Sequence, residues 1–529
     1  MATSSSDPAE PGRGLRAAFG ALRPGDERTI LSGTGLNVMG LLVAMVATFA
    51  TQVLITRTLG AEAFGVVTVA TQIAFVGAAA TRFGMDMAAV RRVAIDVGAG
   101  ESGRARGVVS RAALIGGALS VAVGVGVFML AEPLARTFAT EGDADAFRAA
   151  AAAFPFVALV QVYLGATRGL KVMKDTLFVY WLGQPVAWIA LLLLGWLAAR
   201  TTEVSVLAYA GSWAVATAGA ALLWRRRTAG FDHLPPAQGE VGDLVRYGAP
   251  RAPAALFSQL LFWADLFVLA RFAPSGEVGI YAAAVRAGQV LLLFLISVNH
   301  MFSPFVADLH ARGERARLGE LYQSLTRWLL AATLPIFIVL AATPDSALRL
   351  FGAGFGEGRT ALLILLAGQL VNVGTGSVGF ILIMVGRTGW DLVVNGVAVA
   401  FSLVVAAILA PRYGMEGAAV AGALTLGLGN VARLVLVKRF VGIQPFTRAY
   451  ARLAVPAGAG FLAAAGAHLA AGGGWLMDLV ATGAAGTVVY AAVLLAWGLP
   501  PRERRALGKV VRALLGWSGQ ETPGGTSKT

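Results

Sequence analysis

The sequence from Thr56 to Arg92, TRTLGAEAFGVVTVATQIAFVGAAATRFGMDMAAVRR, decides the fold class. It opens with a charged turn from Arg57 to Gly65, continues as a long apolar run, and ends in a basic pair at Arg91 and Arg92. A transmembrane helix needs about 20 mostly apolar residues. The stretch therefore predicts a turn, a membrane span and a basic exit from the membrane.

A degraded copy of this pattern begins at Arg271, where the sequence reads RFAPSGEVGIY as far as Tyr281. Arg57 and Arg271 lie 214 residues apart in a chain of 529 residues. Internal repeats of this size are typical of membrane transporters that are built from two related halves. We therefore predict two structural halves that are followed by an extension.

The composition indicates that the bilayer is the solvent of this chain. Hydrophobic residues make up 57% of it, charged residues 14%, and the mean hydropathy is +0.71, whereas a soluble domain has about 25% charged residues. The net charge is +14, but no basic run is interleaved with exposed aromatic residues, so no nucleic-acid partner is expected. Because cysteine is absent, disulfides and thiolate metal sites are excluded, and we expect no metal and no cofactor.

The apolar runs predict an all-α integral membrane protein with about 14 transmembrane helices. These runs lie at residues 33–56, 64–85, 108–130, 149–167, 178–199, 205–224, 248–270, 279–304, 325–343, 360–383, 390–410, 416–436, 453–471 and 476–498. A polar stretch separates the first six from the next six. The predicted domains are a cytoplasmic N-terminal tail (1–30), an N-lobe of helices 1–6 (31–226), a cytoplasmic linker (227–246), a C-lobe of helices 7–12 (247–440), helices 13–14 (441–498) and a basic cytoplasmic tail (499–529).

The distribution of Lys and Arg predicts the orientation, because these residues collect on the cytoplasmic side of a membrane. With a cytoplasmic N-terminus, the connections on the outer side hold 8 of the 43 basic residues. We therefore predict a multi-pass protein of the cytoplasmic (inner) membrane with both termini cytoplasmic. Arg226 and Lys509 are expected inside, and Asp143 and Ala353 outside.

Polar side chains inside the apolar runs mark the candidate site. The first span carries Asn37 and Gln52 on one face, and its counterpart in the repeat, the seventh span, carries Ser258 and Asp265 on one face. Two corresponding helices with polar stripes predict one shared polar space between the lobes. For the uncharged members, hydrogen bonding between helices is the alternative interpretation.

Charged residues inside the spans are costly and usually face a cavity or a partner. Arg82 and Asp86 are four positions apart and can pair at the inner end of the second span; a local ion pair and a role in substrate binding both fit. Arg286 lies in the eighth span with no acidic residue three or four positions away, and Gln289 lies on the adjoining face. Such an arginine needs an anion or a distant carboxylate, for which Asp265 is the best candidate in the chain.

The sequence lacks the motifs of several common enzyme classes. It contains no GxxxxGK(S/T) phosphate loop, no HExxH motif and no GxSxG motif. The spans hold few carboxylates that could form a catalytic acid/base pair. We therefore expect that the chain is not an enzyme.

Two stretches resemble a known family. RTLGAEAFGVVTVA from Arg57 and YGAPRAPAALFSQLLFWADLFVLARFAPSGEVGIYAAAVRAGQVL from Tyr247 are similar to the signatures of polysaccharide-type flippases. These form the O-antigen and exopolysaccharide branch of the multidrug/oligosaccharidyl-lipid/polysaccharide exporter superfamily, and the resemblance covers about 30–440. It implies two pseudo-symmetric six-helix lobes around a central cavity, two additional C-terminal helices and alternating access.

The resemblance also implies a function. The family transfers an undecaprenyl-pyrophosphate-linked oligosaccharide from the inner to the outer leaflet for cell-surface polysaccharide biosynthesis, so the expected partners are that substrate, membrane lipid, a polysaccharide polymerase and glycosyltransferases. Helices 1, 2, 7 and 8 of such proteins line the cavity. The expected substrate-binding residues are therefore Arg82, Arg286, Asp265, Gln52, Asn37, Ser258 and Gln289.

Three alternatives remain open on the sequence. A peptidoglycan-precursor lipid flippase shares the architecture and a cationic cavity. An ion-coupled multidrug exporter of the same fold favours acidic residues in the N-lobe, where the spans hold only Asp86. The third class is a membrane enzyme, polymerase or assembly scaffold; ligases and polymerases of this pathway typically have long outer loops, and the longest here, about 131–148, is short.

Overall fold

The computed structural model describes residues 24–138, 143–232, 234, 239–470 and 472–498. It describes their side chains from residue 43 onward, except at residues 300, 301, 303 and 304. All the regular structure in these ranges is helical. Residues 1–23 and the predicted basic tail, with Lys509, lie outside the described residues.

The first helix begins at Pro24, within the segment that the sequence assigns to the N-terminal tail. The α-helices are, in chain order, α1 (Pro24–Thr81), α2 (Met85–Gly98), α3 (Arg104–Met129), α4 (Ala131–Thr137), α5 (Ala144–Ala151), α6 (Ala153–Gly169), α7 (Lys174–Thr176), α8 (Gln184–Gly195), α9 (Thr202–Arg227), α10 (Glu240–Gly248), α11 (Arg251–Phe272), α12 (Ser275–Gln289), α13 (Leu292–Ala311), α14 (Arg315–Ala342), α15 (Pro344–Leu348), α16 (Arg359–Thr375), α17 (Val378–Met384), α18 (Thr388–Val441), α19 (Arg448–Ala451), α20 (Ala454–Ala470) and α21 (Trp475–Val493). Two π-helical segments, Leu177–Gly183 and Leu494–Gly498, and one 3-10 helix, Ala353–Gly358, complete the set.

Within the described residues, ten helices are long and apolar enough to cross a membrane, and there are up to 12 spans if each of two bent pairs is counted as one. The bent pairs are Ser275–Gln289 with Leu292–Asn299, at 53°, and Ala353–Thr375 with Val378–Met384, at 42°. Two of the ten, Val43–Thr81 and Thr388–Val441, are 39 and 54 residues long. At about 1.5 Å per residue, the first is roughly twice and the second nearly three times as long as the hydrocarbon core is thick, which is about 30 Å.

Each of these two long helices contains one glycine with non-helical angles. Gly60 has φ 86° and Gly414 has φ 56°, a region that glycine adopts readily because it has no Cβ. Breaking both helices at these glycines raises the 12 spans to 14. The predicted fold class, an all-α membrane protein with about 14 crossings, is therefore confirmed, and Gly60 falls between the predicted first and second spans.

The chain contacts group into two compact units, of which the first ends at Gly279 and the second begins at Ile280. The core of the first unit includes Val93 and Val162. In the second unit, Ile338 of α14 and Tyr490 of α21 belong to one core cluster, so the last helices pack on the body of that unit. The predicted lobe boundaries were drawn at the polar stretch between the sixth and seventh spans, and they stay a prediction.

The two turns of the internal repeat meet within the first unit. A Cβ atom at Gly65 would collide with the carbonyl oxygen of Ser275, and one at Gly279 would collide with the carbonyl oxygen of Ala61. Each Cβ would also lie 3.0 Å from the backbone nitrogen of the other glycine. Gly65 and Gly279 are 214 residues apart, as are Ala61 and Ser275, so the contact is reciprocal, as it is across a twofold axis.

Candidate functional site

The chain changes direction between α1 and α2, and this break carries the best-formed part of the predicted site. Phe83 and Gly84 both have positive φ, 53° and 68°, which redirects the backbone between Arg82 and Asp86. Arg82 Nε lies 3.4 Å from Asp86 Oδ2, with side chains that are 17% and 8% exposed. The pairing that the four-residue spacing predicts is therefore present.

Arg82 keeps a hydrogen-bond donor that the ion pair does not satisfy. Arg82 Nε is buried and has no hydrogen-bond partner among the described residues, because the 3.4 Å contact with Asp86 joins charges without forming a hydrogen bond. Leaving a buried donor without an acceptor costs free energy. An additional acceptor at this position would therefore be stabilised.

Two other helical segments bring polar groups to the same place. Arg168, near the end of α6, interacts electrostatically with Arg82 and Asp86. Tyr180, in the π-helical segment Leu177–Gly183, interacts with both arginines and forms a hydrogen bond with Gln161. We call these five residues the Arg82 cluster. With two guanidinium groups and one carboxylate, it carries a net charge of +1.

Small residues allow this close approach. A Cβ on Gly165 of α6 would collide with the carbonyl oxygen of Asp86, and a Cβ on Gly116 of α3 would lie 3.3 Å from the carbonyl oxygen of Arg82. The backbone of the break thus packs directly against α3 and α6. Glycine at these positions therefore sets the backbone positions of Arg82 and Asp86.

The Arg82 cluster is suited to binding an anion. Arginine stays charged at any physiological pH and offers a planar fork of donors that matches phosphate oxygens. The tyrosine hydroxyl adds a further donor. Asp86 partly balances the charge of the two arginines, which limits the cost of burying two cations together.

Three other predicted residues belong to the first unit. Gln52 is 3% exposed, and its Oε1 has no hydrogen-bond partner among the described residues. The hydroxyl of Ser258 donates to the carbonyl of Ala254 at 2.8 Å, so its own helix satisfies it, and the residue is exposed. Asn37 lies in α1, but its side chain is outside the described part. The role of these three in substrate binding stays a prediction.

Arg286 lies on α12 and is half-buried. Its Nη1 donates to Gln289 Oε1 at 3.3 Å, so the two residues that were predicted on adjoining faces are in contact. Asp265 of the first unit is 8% exposed and accepts a hydrogen bond from the backbone of Leu266 at 2.8 Å. Arg286 and Asp265 both have further interactions, and the pairing of one with the other stays a prediction.

Sequence reasoning missed three members of the Arg82 cluster. Arg168 was counted among the basic residues that set the orientation, and Gln161 and Tyr180 were not singled out. The available signal was polar side chains inside apolar runs, since Gln161 and Tyr180 are each flanked by apolar residues. Their convergence depends on the packing of separate helices, which single-helix spacing does not contain.

A second polar network, outside the predicted site, lies in α18. There Arg433 Nε donates to Asp391 Oδ1 at 2.9 Å and Arg433 Nη2 donates to Asn395 Oδ1 at 2.5 Å. Asn395 also donates to Asp391 Oδ2 at 3.1 Å. One cation and one anion are matched here and bridged by an amide. The network is therefore balanced, and it holds the two arms of α18 together across the break at Gly414.

A third polar group joins the last two helices. His468 Nδ1 lies 2.8 Å from Asp478 Oδ1, and the hydroxyl of Ser346 donates to Asp478 Oδ2 at 2.5 Å. The serine contacts the carboxylate and not the imidazole, so this is not the arrangement of a hydrolase triad. Asp478 thus fastens the α20–α21 hairpin to α15.

The first half of the chain matches a known protein family. Residues 30–310 match the model of a family described as "Polysaccharide biosynthesis protein", which is more than half of the 529 residues. The chain belongs to this family. The match includes both turns of the repeat and the whole Arg82 cluster, and it confirms the resemblance that the sequence motifs indicate.

One curated relative of this polysaccharide biosynthesis protein is the "Probable low-salt glycan biosynthesis flippase Agl15" of Haloferax volcanii, which is 22% identical over 203 residues. The alignment covers 38% of this chain and 43% of the relative. The chain thus spans less than half the length of the curated relative that it matches.

Solved structures share the fold of this family member. The lipid II flippase MurJ in an inward closed conformation has a TM-score of 0.68 at 11% identity, covering 90% of this chain and 100% of that one. An inward-facing multidrug resistance MATE transporter of the MOP superfamily has a TM-score of 0.63 at 13% identity, covering 77% and 98%. At these identities the likeness concerns the fold alone. The protein is a multi-pass membrane protein.

Proposed function

We propose that the protein moves a polyprenyl-pyrophosphate-linked oligosaccharide from the inner to the outer leaflet of the cytoplasmic membrane by alternating access, for cell-surface polysaccharide biosynthesis. The observation that carries the proposal is the Arg82 cluster, in which two arginines and a tyrosine meet beside one carboxylate. Family membership and the description of the Haloferax relative as a glycan biosynthesis flippase support the substrate class.

The pyrophosphate is the part of the substrate that this site would bind. Arg82 and Arg168 would each offer donors to its oxygens, and the buried Nε of Arg82 would gain the acceptor that it lacks. Asp86 holds Arg82 in position before the substrate arrives. Arg286, with Gln289 beside it, is assigned to substrate binding on the sequence pattern.

The sugars need neutral hydrogen-bonding groups. Gln52, with a buried and unsatisfied carbonyl oxygen, is suited to this role, and Asn37 and Ser258 are assigned to it on the sequence pattern. The lipid chain would remain in the bilayer. A polymerase and glycosyltransferases of the same pathway would then act on either side of the transport step.

The Arg82 cluster also bears on the multidrug-exporter alternative. An exporter of organic cations needs a carboxylate that is available to the substrate or the coupling ion. Asp86 is instead paired with Arg82 at 3.4 Å and interacts with Arg168. This arrangement favours an anionic substrate over a cationic one.

The test is surface polysaccharide in a host that lacks its own flippase, together with the amount of protein in the membrane. Arg82→Ala and Arg168→Ala are expected to abolish export at normal protein levels, because each removes a donor set for the pyrophosphate. Arg82→Lys should recover part of the export, since lysine keeps the charge but loses the fork. Arg225→Ala, at an exposed arginine outside the cluster, is the matched control and should export normally.

Full export by both Arg82→Ala and Arg168→Ala at normal expression would overturn the anion site. Loss of export together with loss of the protein would point to folding. In that case Arg82→Lys separates folding from substrate binding, since it retains the charge that balances Asp86.

A further inference from the structure

A second arginine-rich site lies outside the Arg82 cluster, where α2 meets α10. A cavity of about 500 Å³ opens there, and its lining includes Arg91, Arg92, Asp243, Arg246 and Tyr247. All of it belongs to the first unit. We call it the Tyr247 pocket.

The ring of Tyr247 makes cation–π contacts with two arginines. The guanidinium carbon of Arg91 lies 5.2 Å from the ring centroid, and that of Arg251 also lies 5.2 Å from it. Cation–π contacts of this length hold a guanidinium in place while leaving its N–H donors available to other groups. The tyrosine therefore holds both guanidinium groups in place without neutralising their charge.

Most of the carboxylates around the pocket already form ion pairs with arginines. Glu240, which also lines it, is 3% exposed and pairs with Arg111 of α3, while Arg92 pairs with the buried Asp96 at 3.0 Å. No ion pair among the described residues involves Arg91 or Arg246. Once the pairs are set aside, the lining holds two arginines, Arg91 and Arg246, and one carboxylate, Asp243, which leaves a net charge of +1.

The exposed side chains of α10 are those expected of a short helix at a membrane surface. Leu244 packs inward at 3% exposure, whereas Val241 and Val245 point outward at 48% and 38%. A short helix that exposes valines on one side and arginine on another is typical of a segment that lies in the interface of a bilayer. A ligand in the pocket would therefore be a lipid headgroup.

The backbone ties the pocket to the Arg82 cluster. A Cβ on Gly84 would lie 2.9 Å from the carbonyl oxygen of Gly248 and 2.9 Å from Arg251 Cβ, so the break after α1 packs on the junction of α10 and α11. Arg91 and Asp86 are on the same helix, five residues apart, which is about 7.5 Å along its axis. A headgroup at Tyr247 would lie next to the Arg82 cluster.

We propose that the Tyr247 pocket binds the phosphate-bearing headgroup of a membrane lipid at the predicted cytoplasmic surface, through Arg91 and Arg246. The pocket is separate from the transport site, and the proposal requires only that the protein lies in a membrane. Both an anionic phospholipid and a polyprenyl pyrophosphate present the chemistry that it recognises.

The experiment measures equilibrium binding of farnesyl pyrophosphate to the full-length protein in phosphatidylcholine nanodiscs. An Arg82→Gln background removes binding at the Arg82 cluster. In that background, Arg91→Gln/Arg246→Gln is expected to weaken binding roughly tenfold, the loss expected from two partly exposed guanidinium–phosphate contacts. The matched control is Arg225→Gln/Arg226→Gln, which removes the same charge from exposed positions outside the pocket and should leave binding unchanged.

Two competitors identify the source of the headgroup. Displacement by phosphatidylglycerol in the nanodisc assigns the pocket to bulk anionic lipid, and resistance to it assigns the pocket to pyrophosphate-bearing lipid; either result supports a headgroup site. Equal affinities for the pocket variant and the control would overturn the proposal. Displacement by inorganic pyrophosphate as effective as that by farnesyl pyrophosphate itself would also overturn it, because the pocket would then bind a soluble anion.

Discussion

Arg433 is a residue whose contribution to stability can be isolated. It is 8% exposed and contacts Asp391 and Asn395 with both of its donor edges. Arg433→Gln would leave the carboxylate of Asp391 without its cation, and breaking a buried pair in this way costs about 3–5 kcal/mol. We expect a clearly lower thermal unfolding midpoint in detergent.

The control for this prediction is Arg439→Gln, at an exposed position of the same helix, which should unfold as the parent does. Asp391→Asn/Arg433→Gln removes both charges and should be more stable than Arg433→Gln alone. If the double variant were the less stable of the two, the contact would not act as an ion pair.

Asp96 predicts a dependence of stability on pH. It is 1% exposed, and burial raises its pKa above the ordinary 3.8 despite the cation of Arg92. Since the folded state then binds the proton more tightly than the unfolded state, the folded protein is penalised at neutral pH, and the penalty is relieved as the pH falls through the raised pKa.

Asp96→Asn should therefore raise the unfolding midpoint at neutral pH, and the gain should vanish as the pH approaches 3.8. Asp308→Asn removes a charge from a carboxylate that is 51% exposed and serves as the control. A gain for Asp96→Asn that persists below that pH would show that the change acts through packing and not through the carboxylate charge.

At the scale of helices and turns, the reciprocal contact between the two repeat turns makes a direct prediction. Gly65→Ala and Gly279→Ala each place a methyl group against the backbone of the other turn, and backbone cannot move aside as a flexible side chain can. Overpacking of this kind typically costs about 1–3 kcal/mol. Both variants should lower the unfolding midpoint.

Gly276→Ala is the matched control, because it lies in the same turn and its Cβ would meet no atom within 4 Å. Gly60→Ala tests a different effect. Its Cβ would also meet nothing within 4 Å, but its φ of 86° disfavours any side chain. Equal stability of Gly65→Ala and Gly276→Ala would contradict the contact.

The sequence predicts the membrane helices well because hydrophobic length is a local property. It does not predict their breaks with the same success. The 53° bend between Gln289 and Leu292 falls at Val290 and Leu291, and neither of these is a glycine or a proline. The π-helical segment Leu177–Gly183 is followed by Pro185, which lacks a backbone N–H, so here the sequence marks an irregularity without specifying its form.

The candidate site likewise has one part that the sequence predicts and one part that it does not. Arg82 and Asp86 were paired on their spacing alone, because both lie on one continuous stretch. Arg168 and Tyr180 come from other helices, and their arrival depends on glycines such as Gly165 that permit close packing. Tertiary contacts of this kind are outside what a single sequence contains.

At the scale of the whole molecule, the orientation is the prediction that can be tested most cleanly. The chain has no cysteine, so single substitutions can be labelled with an impermeant thiol reagent in intact cells. Arg226→Cys should be protected from the reagent, whereas Asp143→Cys and Ala353→Cys should react. Labelling at position 226 with protection at 143 would reverse the orientation.

The reciprocal contact of Gly65 and Gly279 also restricts how the two halves can evolve. Each turn is the surface against which the other must fit, so a larger residue in one requires a matching change 214 positions away. Elsewhere a duplicated gene can diverge one half at a time. Here each turn constrains the other, so we expect the repeat to remain recognisable at these turns even where the helices between them have diverged.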